Sequence, residues 1–267
     1  MSQNPSPASH PLSNFRVGSV PYLNSVPLTY GIEDQVVFAP PSQLAGMLEN
    51  ETLDAALVSI TEALLHPGYV ILDNVAVASD GPVQSVFLAS KGPLESVETI
   101  HCDPASLTSI NLLKVLLKEK GIAPQWQPLP DYDSAPEKNA VLLIGDPAIR
   151  FRQSGPTHHI WDLGQAWKEC FQLPFVYAVW AIRESCAHPT MLKALQEAKV
   201  SGVQHLDELV RTTSRFDEAF RSDYLGKAIR YDLGAPEKEG IECFIRKLAA
   251  LSDHKVYAPR YAGTTNH

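Results

Sequence analysis

Short apolar runs with the composition of buried β-strands alternate with amphipathic segments along most of this chain. The runs FRVGSV (15–20) and DAALVS (54–59) are typical of strands, and SLTSINLLKVLLKEKG (106–121) has the apolar spacing of a helix that ends at a glycine. A further run, AVLLIGDPAIR (140–150), predicts a buried strand that breaks at Gly145, with Asp146 as a helix cap. This alternation predicts an α/β fold with parallel strands.

Two strand-like segments, PVQSVFLASK (82–91) and LPFVYAVWAIR (173–183), are candidates for crossing between two lobes. A chain that leaves one lobe, builds a second and returns makes a cleft that can close by hinge motion. We therefore predict a two-lobed protein with a ligand cleft between lobes joined by two crossing strands. The predicted boundaries are a disordered tail at 1–14, a first lobe at 15–88 and 184–251, a second lobe at 89–183 and a C-terminal tail at 252–267.

The turns expected to meet in such a cleft are rich in hydroxyl groups. They comprise residues 21–25 (PYLNS), 59 (S), 79–81 (SDG), 106–109 (SLTS) and 145–146 (GD). Free backbone N–H groups at helix starts, together with Ser and Thr hydroxyls, suit a carboxylate or phosphate without needing a lysine. Each position by itself is better explained as a helix cap, so only the convergence of five turns favours a small-anion site.

One of these turns, within VGSVPYLNSVPL (17–28), has two interpretations. In the first, Asn24 or Ser25 caps a helix that holds Pro27 in its first turn. In the second, the end of the strand forms the floor of a binding cleft. Pattern alone does not separate the two.

Charge and hydropathy exclude several classes of partner. The chain has 22 Lys and Arg residues against 30 Asp and Glu, a formal net charge of −8, and no basic block interleaved with aromatic residues, so we expect no nucleic-acid partner. The apolar run FVYAVWAI (175–182) is far shorter than the roughly 20 residues of a membrane helix, so we expect no membrane partner. The first fourteen residues lack the basic start and apolar core of a signal peptide, and we expect a cytoplasmic protein.

Signatures of common catalysts are missing from the sequence. There is no GxSxG, GxxxxGK[ST], GxGxxG or HExxH. His158 and His159 are adjacent and would point to opposite sides of a strand, and the four cysteines show no CxxC spacing. We therefore expect reduced thiols, no metal and no cofactor. The pattern leads to a two-lobed small-anion binder.

Several long motifs extend this interpretation, because in their order they resemble the chorismate dehydratases of the futalosine route to menaquinone. The motifs are VGSVPYLNSVPL, LDAALVSITEAL, ASDGPVQSVFLASKGPLE, DPASLTSINLLKVLL, LLIGDPAI, WDLGQAWKECFQLPFVYAVWAIR and DYLGKAIRYDLG. The resemblance implies a fold like that of type II periplasmic binding proteins. Two details depart from the family pattern: Phe171-Gln172 stands where Thr-Gly is common, and GDPAI replaces GD-Ala-Leu.

The resemblance implies an activity and a set of site residues. The activity is loss of water from chorismate, a dicarboxylate, to give 3-[(1-carboxyvinyl)oxy]benzoate. Asn24 and Ser85 are the expected catalytic residues, with Asn24 orienting the leaving hydroxyl. The expected substrate-binding residues are Tyr22, Ser25, Ser59, Ser106, Thr108, Ser109, Gly145 and Asp146, among which the three at 106–109 would hold one carboxylate.

The base and the exact family member stay open at this point. Asp146 is the nearest protein candidate for the base, although a cap role explains it fully, and our hypothesis is that a substrate carboxylate removes the proton. Two other functions compete: the lyase of the same pathway that forms 1,4-dihydroxy-6-naphthoate, and a solute-binding protein without catalysis. The sequence gives no oligomeric state.

Overall fold

The computed structural model describes residues 10–103, 106–251 and 255–263, and it confirms the alternation of strands and helices. The strands, in chain order, are β1 (Val17–Ser19), β2 (Val36–Phe38), β3 (Ala55–Ser59), β4 (Tyr69–Ser79), β5 (Val86–Ser90), β6 (Thr99–Cys102), β7 (Gln125–Pro128), β8 (Ala140–Ile144), β9 (His159–Asp162), β10 (Phe175–Arg183) and β11 (Tyr261–Ala262). The α-helices are α1 (Pro41–Glu49), α2 (Ile60–Leu65), α3 (Leu107–Glu119), α4 (Gly145–Gln153), α5 (Leu163–Phe171), α6 (Pro189–Gln204), α7 (Leu206–Thr212), α8 (Glu218–Asp223) and α9 (Ala235–Ala249).

The described strands form two sheets, which confirms the predicted two-lobed α/β architecture. One sheet has six strands in the order β11–β4–β10–β3–β1–β2, and the other has five in the order β7–β6–β8–β5–β9. We call the six-stranded sheet and its helices lobe 1, and the five-stranded sheet and its helices lobe 2.

Both sheets are mixed, so the expectation of parallel strands holds only in part. β1 pairs in parallel with β2 and β3, and β6 with β7 and β8. β10 is antiparallel to β3 and β4, and β5 is antiparallel to β8 and β9. Each of these two strands enters its sheet directly from the other lobe. Neither strand is therefore joined to a neighbour in its own sheet by the helical crossover that makes consecutive strands parallel.

Sheet membership places the lobe boundaries differently from the sequence. β10 belongs to lobe 1, although the predicted second lobe ran to residue 183, and β5 begins in lobe 2 at Val86. The chain therefore crosses between lobes at 80–85 and at 172–174. The apolar composition of β10 indicates a buried strand, but it carries no information on which sheet the strand joins.

The predicted tails are also shorter than expected within the described residues. Leu12 is fully buried in the core, and its backbone N–H donates to the Gln35 side chain at 2.9 Å. Near the other end, β11 pairs in parallel with β4 at the edge of the six-stranded sheet. The remaining parts of the predicted tails, residues 1–9, 252–254 and 264–267, lie outside the described residues.

An aromatic cluster joins the lobes at the second crossing. Trp167 of α5 lies 5.0 Å from Phe175 of β10 and 6.0 Å from Phe244 of α9, measured between ring centroids. The Trp167 indole N–H donates to the Pro174 carbonyl at 3.2 Å. This packing fixes the crossing beside the cleft. Within the described ranges, no helix has both the length and the apolar character needed to cross a membrane.

Candidate functional site

A cleft that is partly open to solvent lies between the two lobes. On the lobe 1 side, Ala178 of β10 lies between Ser59 of β3 and Val77 of β4. On the lobe 2 side, Val86 of β5 lies opposite Ile144 of β8. A cleft at the junction of two lobes is a common position for a small-molecule site.

Most of the residues predicted for the site line this cleft. They are Tyr22, Asn24, Ser59, Ser106, Thr108, Ser109 and Gly145. Apolar residues make up much of the remaining wall: Val20, Leu57, Val58, Val77, Val86 and Ile144. The cleft thus combines an apolar surface that suits a ring with hydroxyl and amide groups that suit polar substituents.

The turn after β1 supplies Tyr22 and Asn24. A 3₁₀ turn spans Leu23–Leu28 and starts one residue before Asn24, so neither Asn24 nor Ser25 caps it. Leu23 and Leu28 are fully buried and anchor the turn in the core, whereas Asn24 lies at the cleft. The capping interpretation of this stretch is therefore wrong, and the strand end does form part of a cleft wall.

Ser25 does not belong to the site. Its side chain is 1% exposed, and its hydroxyl lies 2.6 Å from the Val20 carbonyl and 2.8 Å from the Tyr22 carbonyl, to which it can donate. These bonds hold the turn in shape. The prediction of Ser25 as a substrate contact is corrected accordingly, because its hydroxyl faces the backbone of its own turn.

The N-terminus of α3 brings three of the predicted hydroxyls into the cleft. Ser106 occupies the N-cap position without a side-chain cap bond, and Ser106, Thr108 and Ser109 all line the cleft. A helix N-terminus carries about half a unit of positive charge. This end of the cleft is therefore suited to a carboxylate.

Thr108 has a second role that connects the lobes. Its hydroxyl donates to the Thr61 hydroxyl at 2.9 Å and accepts the Thr61 backbone N–H at 2.9 Å. Thr61 lies on α2 of lobe 1. Beside it, Ser59 caps α2 by accepting the Glu62 backbone N–H at 3.3 Å, which confirms the predicted cap.

Gly145 starts α4 directly beneath the Tyr22 ring. Its φ is +60°, and a Cβ at this position would lie 3.3 Å from the ring atoms of Tyr22. The Gly145 backbone N–H donates to the Ser85 carbonyl at 2.8 Å. Both the backbone conformation and the close approach of Tyr22 therefore favour a glycine here.

Asp146 connects the lobes and does not line the cleft. The expected role as a cap is wrong, because α4 begins at Gly145 with Ile144 as the N-cap residue. The Asp146 carboxylate is buried, accepts the Leu23 backbone N–H at 2.9 Å and accepts Arg215 at 3.1 Å. Arg215 also donates to the Pro21 carbonyl at 2.6 Å. Asp146 is thus a bridge between lobes, which corrects its prediction as a substrate contact.

Ser85 is buried at the first crossing, next to Val86 of the cleft wall. Its side chain is fully buried, and its hydroxyl oxygen accepts the Tyr224 hydroxyl at 2.6 Å. Ser85 therefore lies beside the cleft and not in its surface. Its catalytic role stays a prediction.

Two tyrosines of this region were not selected from the sequence. Tyr177 lines the cleft, and its hydroxyl lies 3.0 Å from the Ser79 hydroxyl. Tyr224 is buried and contacts Ser85. Both lie inside motifs that carry the family resemblance, FVYAVW and DYLGKAI. Within those motifs, an aromatic residue among apolar neighbours is typical of a core position, so no local signal distinguished them.

The cleft contains no charged side chain among its described lining residues. Burial raises the pKa of Tyr22, and the nearby carboxylates of Asp103 and Asp146 raise it further, so this phenol stays protonated at neutral pH. The side chains that line the cleft are therefore uncharged, and the partial positive charge available to an anion there is that of the N-terminus of α3.

The described residues contain no group of three or more His, Cys, Asp or Glu side chains that could hold a metal ion. His158 and His159 do not form such a site: His158 contacts the Lys138 carbonyl through its ring at 2.8 Å. The four cysteines are free; Cys102 and Cys243 are buried, and Cys170 is exposed. The expectation that no metal or cofactor is needed stays a prediction.

Comparison with known sequences places most of the chain in one family. Residues 15–250 match the profile of a family described as menaquinone biosynthesis. The chain is 31% identical to the chorismate dehydratase of Thermus thermophilus, over 85% of this chain and 92% of that protein. Every cleft residue named above lies within the matched range.

Comparison with solved structures shows the fold. A protein of Archaeoglobus fulgidus superposes with a TM-score of 0.72 at 18% identity, covering 89% of this chain and 97% of that one. The alkanesulfonate-binding protein of Xanthomonas axonopodis pv. citri, solved with MOPS bound, gives a TM-score of 0.67 at 13% identity, covering 94% and 98%. The fold is thus that of the periplasmic binding proteins, as the family resemblance implied.

Proposed function

The chain belongs to the menaquinone-biosynthesis family, and we propose that it is a chorismate dehydratase, a hydro-lyase that converts chorismate to 3-[(1-carboxyvinyl)oxy]benzoate. The observation that carries this proposal is the 31% identity to a chorismate dehydratase across nearly all of that relative. The neutral cleft with its polar groups at helix starts gives the proposal a physical basis.

The cleft supports binding of a dicarboxylate by local donors. One carboxylate would lie at the N-terminus of α3, where Ser106 and Ser109 offer hydroxyls beside the backbone N–H groups. The ring would pack between Tyr22 and the apolar wall. Asn24 would then face the hydroxyl that leaves. The position of each group in the cleft supports these assignments. A negatively charged protein can bind an anion in this way because the donors act at short range.

The composition of the cleft supports a base supplied by the substrate. The described residues that line the cleft include no Asp, Glu, His or Lys. The Asp146 carboxylate already accepts hydrogen bonds from the Leu23 backbone N–H and from Arg215. In the proposed step a substrate carboxylate takes the proton from the ether-bearing carbon. The C–H electron pair forms the new ring double bond as the C–O bond to the hydroxyl breaks. The departing hydroxyl and the removed proton together make up the water released, and the protein contributes positioning and charge stabilisation.

Two other functions are the alternatives that an experiment has to separate from the dehydratase: solute binding without catalysis, and the lyase that forms 1,4-dihydroxy-6-naphthoate. The likeness to an alkanesulfonate-binding protein concerns the fold alone, at 13% identity, and so does not favour a solute-binding function over catalysis. The second alternative function is that of the lyase of the same pathway that forms 1,4-dihydroxy-6-naphthoate. The proposed function involves a small-molecule partner, and the expectation that the protein acts in the cytoplasm stays a proposal.

The deciding experiment incubates the purified protein with chorismate. Loss of the diene absorbance together with a product lighter by one water, identified by mass spectrometry, would support the dehydratase. Binding of chorismate with no turnover would indicate a binding protein. No effect on chorismate, with cleavage of a larger naphthoate precursor, would indicate the other lyase.

A further inference from the structure

We propose that Arg215 binds the second carboxylate of a dicarboxylate substrate, beside Tyr22. This inference rests on the proposed function, because it concerns the same substrate and the same cleft. The N-terminus of α3 provides donors for one carboxylate, and the described lining of the cleft includes no cationic side chain for the other. Arg215 supplies the second set of donors from a depression next to the cleft.

This depression adjoins the cleft at Val20 and Tyr22, which line both. Residues 212–215 form another part of its wall and bring three hydroxyl groups and the Arg215 guanidinium to it. The acidic side chain among its described lining residues is Glu33, which is exposed. A ring that packs on Tyr22 therefore has its substituents next to both the cleft and the depression.

Two anchors fix the Arg215 guanidinium. Its Nη1 donates to the Pro21 carbonyl at 2.6 Å and to the Asp146 carboxylate at 3.1 Å. Its Nε and Nη2 have no hydrogen-bond partner among the described residues, and the side chain is 40% exposed. This Nε–Nη2 edge fits a carboxylate with two parallel bonds. Arg16 uses the same edge for the Asp54 carboxylate, with Nε at 3.4 Å and Nη2 at 2.6 Å.

A buried cation supports the segment that carries Arg215. Arg221 of α8 is 6% exposed, and its guanidinium donates to the carbonyls of Val210 at 2.7 Å, Arg215 at 3.3 Å and Phe216. It forms no ion pair with a carboxylate in the part of the chain that the structure describes. These bonds hold the segment in place, and the charge of Arg221 has no counter-ion there.

The charge balance beside Tyr22 favours an anion. Two guanidinium groups share one buried carboxylate, that of Asp146. The acidic side chains that line the depression or follow the segment in sequence, Glu33, Asp217 and Glu218, are exposed, where solvent and salt screen their charges. A fixed guanidinium edge in a region of excess positive charge suits a carboxylate, even in a chain whose formal net charge is −8.

The experiment compares three probes by isothermal titration calorimetry. 3-(Carboxymethoxy)benzoate carries two carboxylates, whereas 3-methoxybenzoate and phenoxyacetate carry one each. We expect the unmodified protein to bind the diacid at least about tenfold more tightly than either monoacid, since hydrogen bonds to a charged group have effects of that size. In Arg215→Gln this advantage should be lost, because the diacid then has only the donors of α3.

Arg211→Gln is the matched control. Arg211 lies four residues before Arg215, is exposed, and donates to the Asp207 carbonyl of its own helix at 3.2 Å. The variant removes the same charge from the same region but no residue that lines the depression. The advantage of the diacid should be retained, and thermal midpoints verify that each variant is folded.

Turnover provides a second measure. Arg215→Gln should raise KM for chorismate about 10- to 100-fold and change kcat by less than about threefold, because this carboxylate is bound equally before and during the chemical step. Arg215→Lys keeps the charge but not the paired donors, so its KM should lie between the two.

The pattern across the probes separates this role from closure of the lobes. If Arg215→Gln weakens all three probes by the same factor, Arg215 acts only through its bond to Asp146, and the inference is overturned. It is also overturned if the unmodified protein does not prefer the diacid, or if Arg215→Gln keeps that preference. If the unmodified protein prefers the diacid but does not convert chorismate, the proposed function fails, while the comparison of probes still tests Arg215.

Discussion

The carboxylate of Asp146 accepts the backbone N–H of Leu23 at 2.9 Å, although the two residues are 123 positions apart and belong to different lobes. The same carboxylate accepts Arg215 at 3.1 Å, and Arg215 reaches the Pro21 carbonyl. This group of contacts closes the cleft beside Tyr22. It stabilises the arrangement in which both lobes contribute to the site.

Replacing Asp146 with Ala should weaken closure. The buried Leu23 N–H would lose its acceptor, which costs about 1–3 kcal/mol, and KM for chorismate should rise about tenfold, since 1.4 kcal/mol corresponds to a factor of ten. Steady-state kinetics and urea unfolding measure both effects, with Asp133→Ala, an exposed aspartate of lobe 2, as the control. A fall in kcat alone, with KM and stability unchanged, would show that Asp146 acts in the chemical step.

Asn24→Ala should fold normally and lose most turnover. The change removes a polar group at the cleft while Leu23 and Leu28 keep the turn in the core. Loss of a single donor at a reacting centre lowers kcat by about 100-fold or more. The control is Asn50→Ala, at the exposed end of α1. Turnover close to that of the unmodified protein would mean that Asn24 is not needed for catalysis.

Thr108→Val tests the bond between α3 and α2. The variant keeps the shape of the side chain but removes both bonds to Thr61, so the free energy of unfolding should fall by about 1–3 kcal/mol. KM should rise as well, because these bonds connect the lobes. Thr108→Ser retains the hydroxyl and should restore both quantities toward their original values. A raised KM with an unchanged thermal midpoint would instead favour a Thr108 hydroxyl that binds the substrate.

Asp54 should make stability depend on pH in the acidic range. Burial by itself raises the pKa of this carboxyl, but hydrogen bonds from the side chain and backbone of Arg16 and from Arg183 outweigh it and hold the pKa well below its usual value of about 4. A carboxyl with a lowered pKa in the folded state contributes stability above its unfolded pKa and loses that contribution as the pH falls.

The test of this contribution is urea unfolding of the unmodified protein and Asp54→Asn at pH 7, 5 and 3. We expect the variant to be less stable by about 1.5–3 kcal/mol at pH 7, which is typical of hydrogen bonds to a charged group. The difference should persist at pH 5 and shrink at pH 3. A difference that grows toward low pH would contradict the assigned pKa direction.

Chelators should leave the activity unchanged. The described residues hold no cluster of metal-binding side chains, and the loss of water from chorismate involves no net oxidation or reduction. Turnover of chorismate is measured before and after dialysis against EDTA, and again after adding Mg²⁺ or Zn²⁺. Activity that disappears with EDTA and returns with a divalent ion would contradict the proposed mechanism.

Local patterns in the sequence predict the α/β class, the two lobes and most of the residues that line the cleft. Apolar runs and helix starts are local signals, since burial and capping involve residues close together in the chain. They located Tyr22 and Asn24 after β1, Ser59 before α2, and the hydroxyls at the start of α3. The motifs around these residues also carried the family resemblance.

The direction of β10, the contacts of Asp146 and the partners of Thr108 and Ser85 depend on parts of the chain that are distant in sequence, so local patterns could not predict them. Asp146 has the local pattern of a helix cap, yet its acceptor oxygens are used by Leu23 and Arg215. Ser85 meets Tyr224 across 139 positions of the chain. Such pairs depend on how the lobes and the C-terminal helices close on each other. The hydrophobic pattern of a segment fixes its burial but does not specify which distant polar group it will meet.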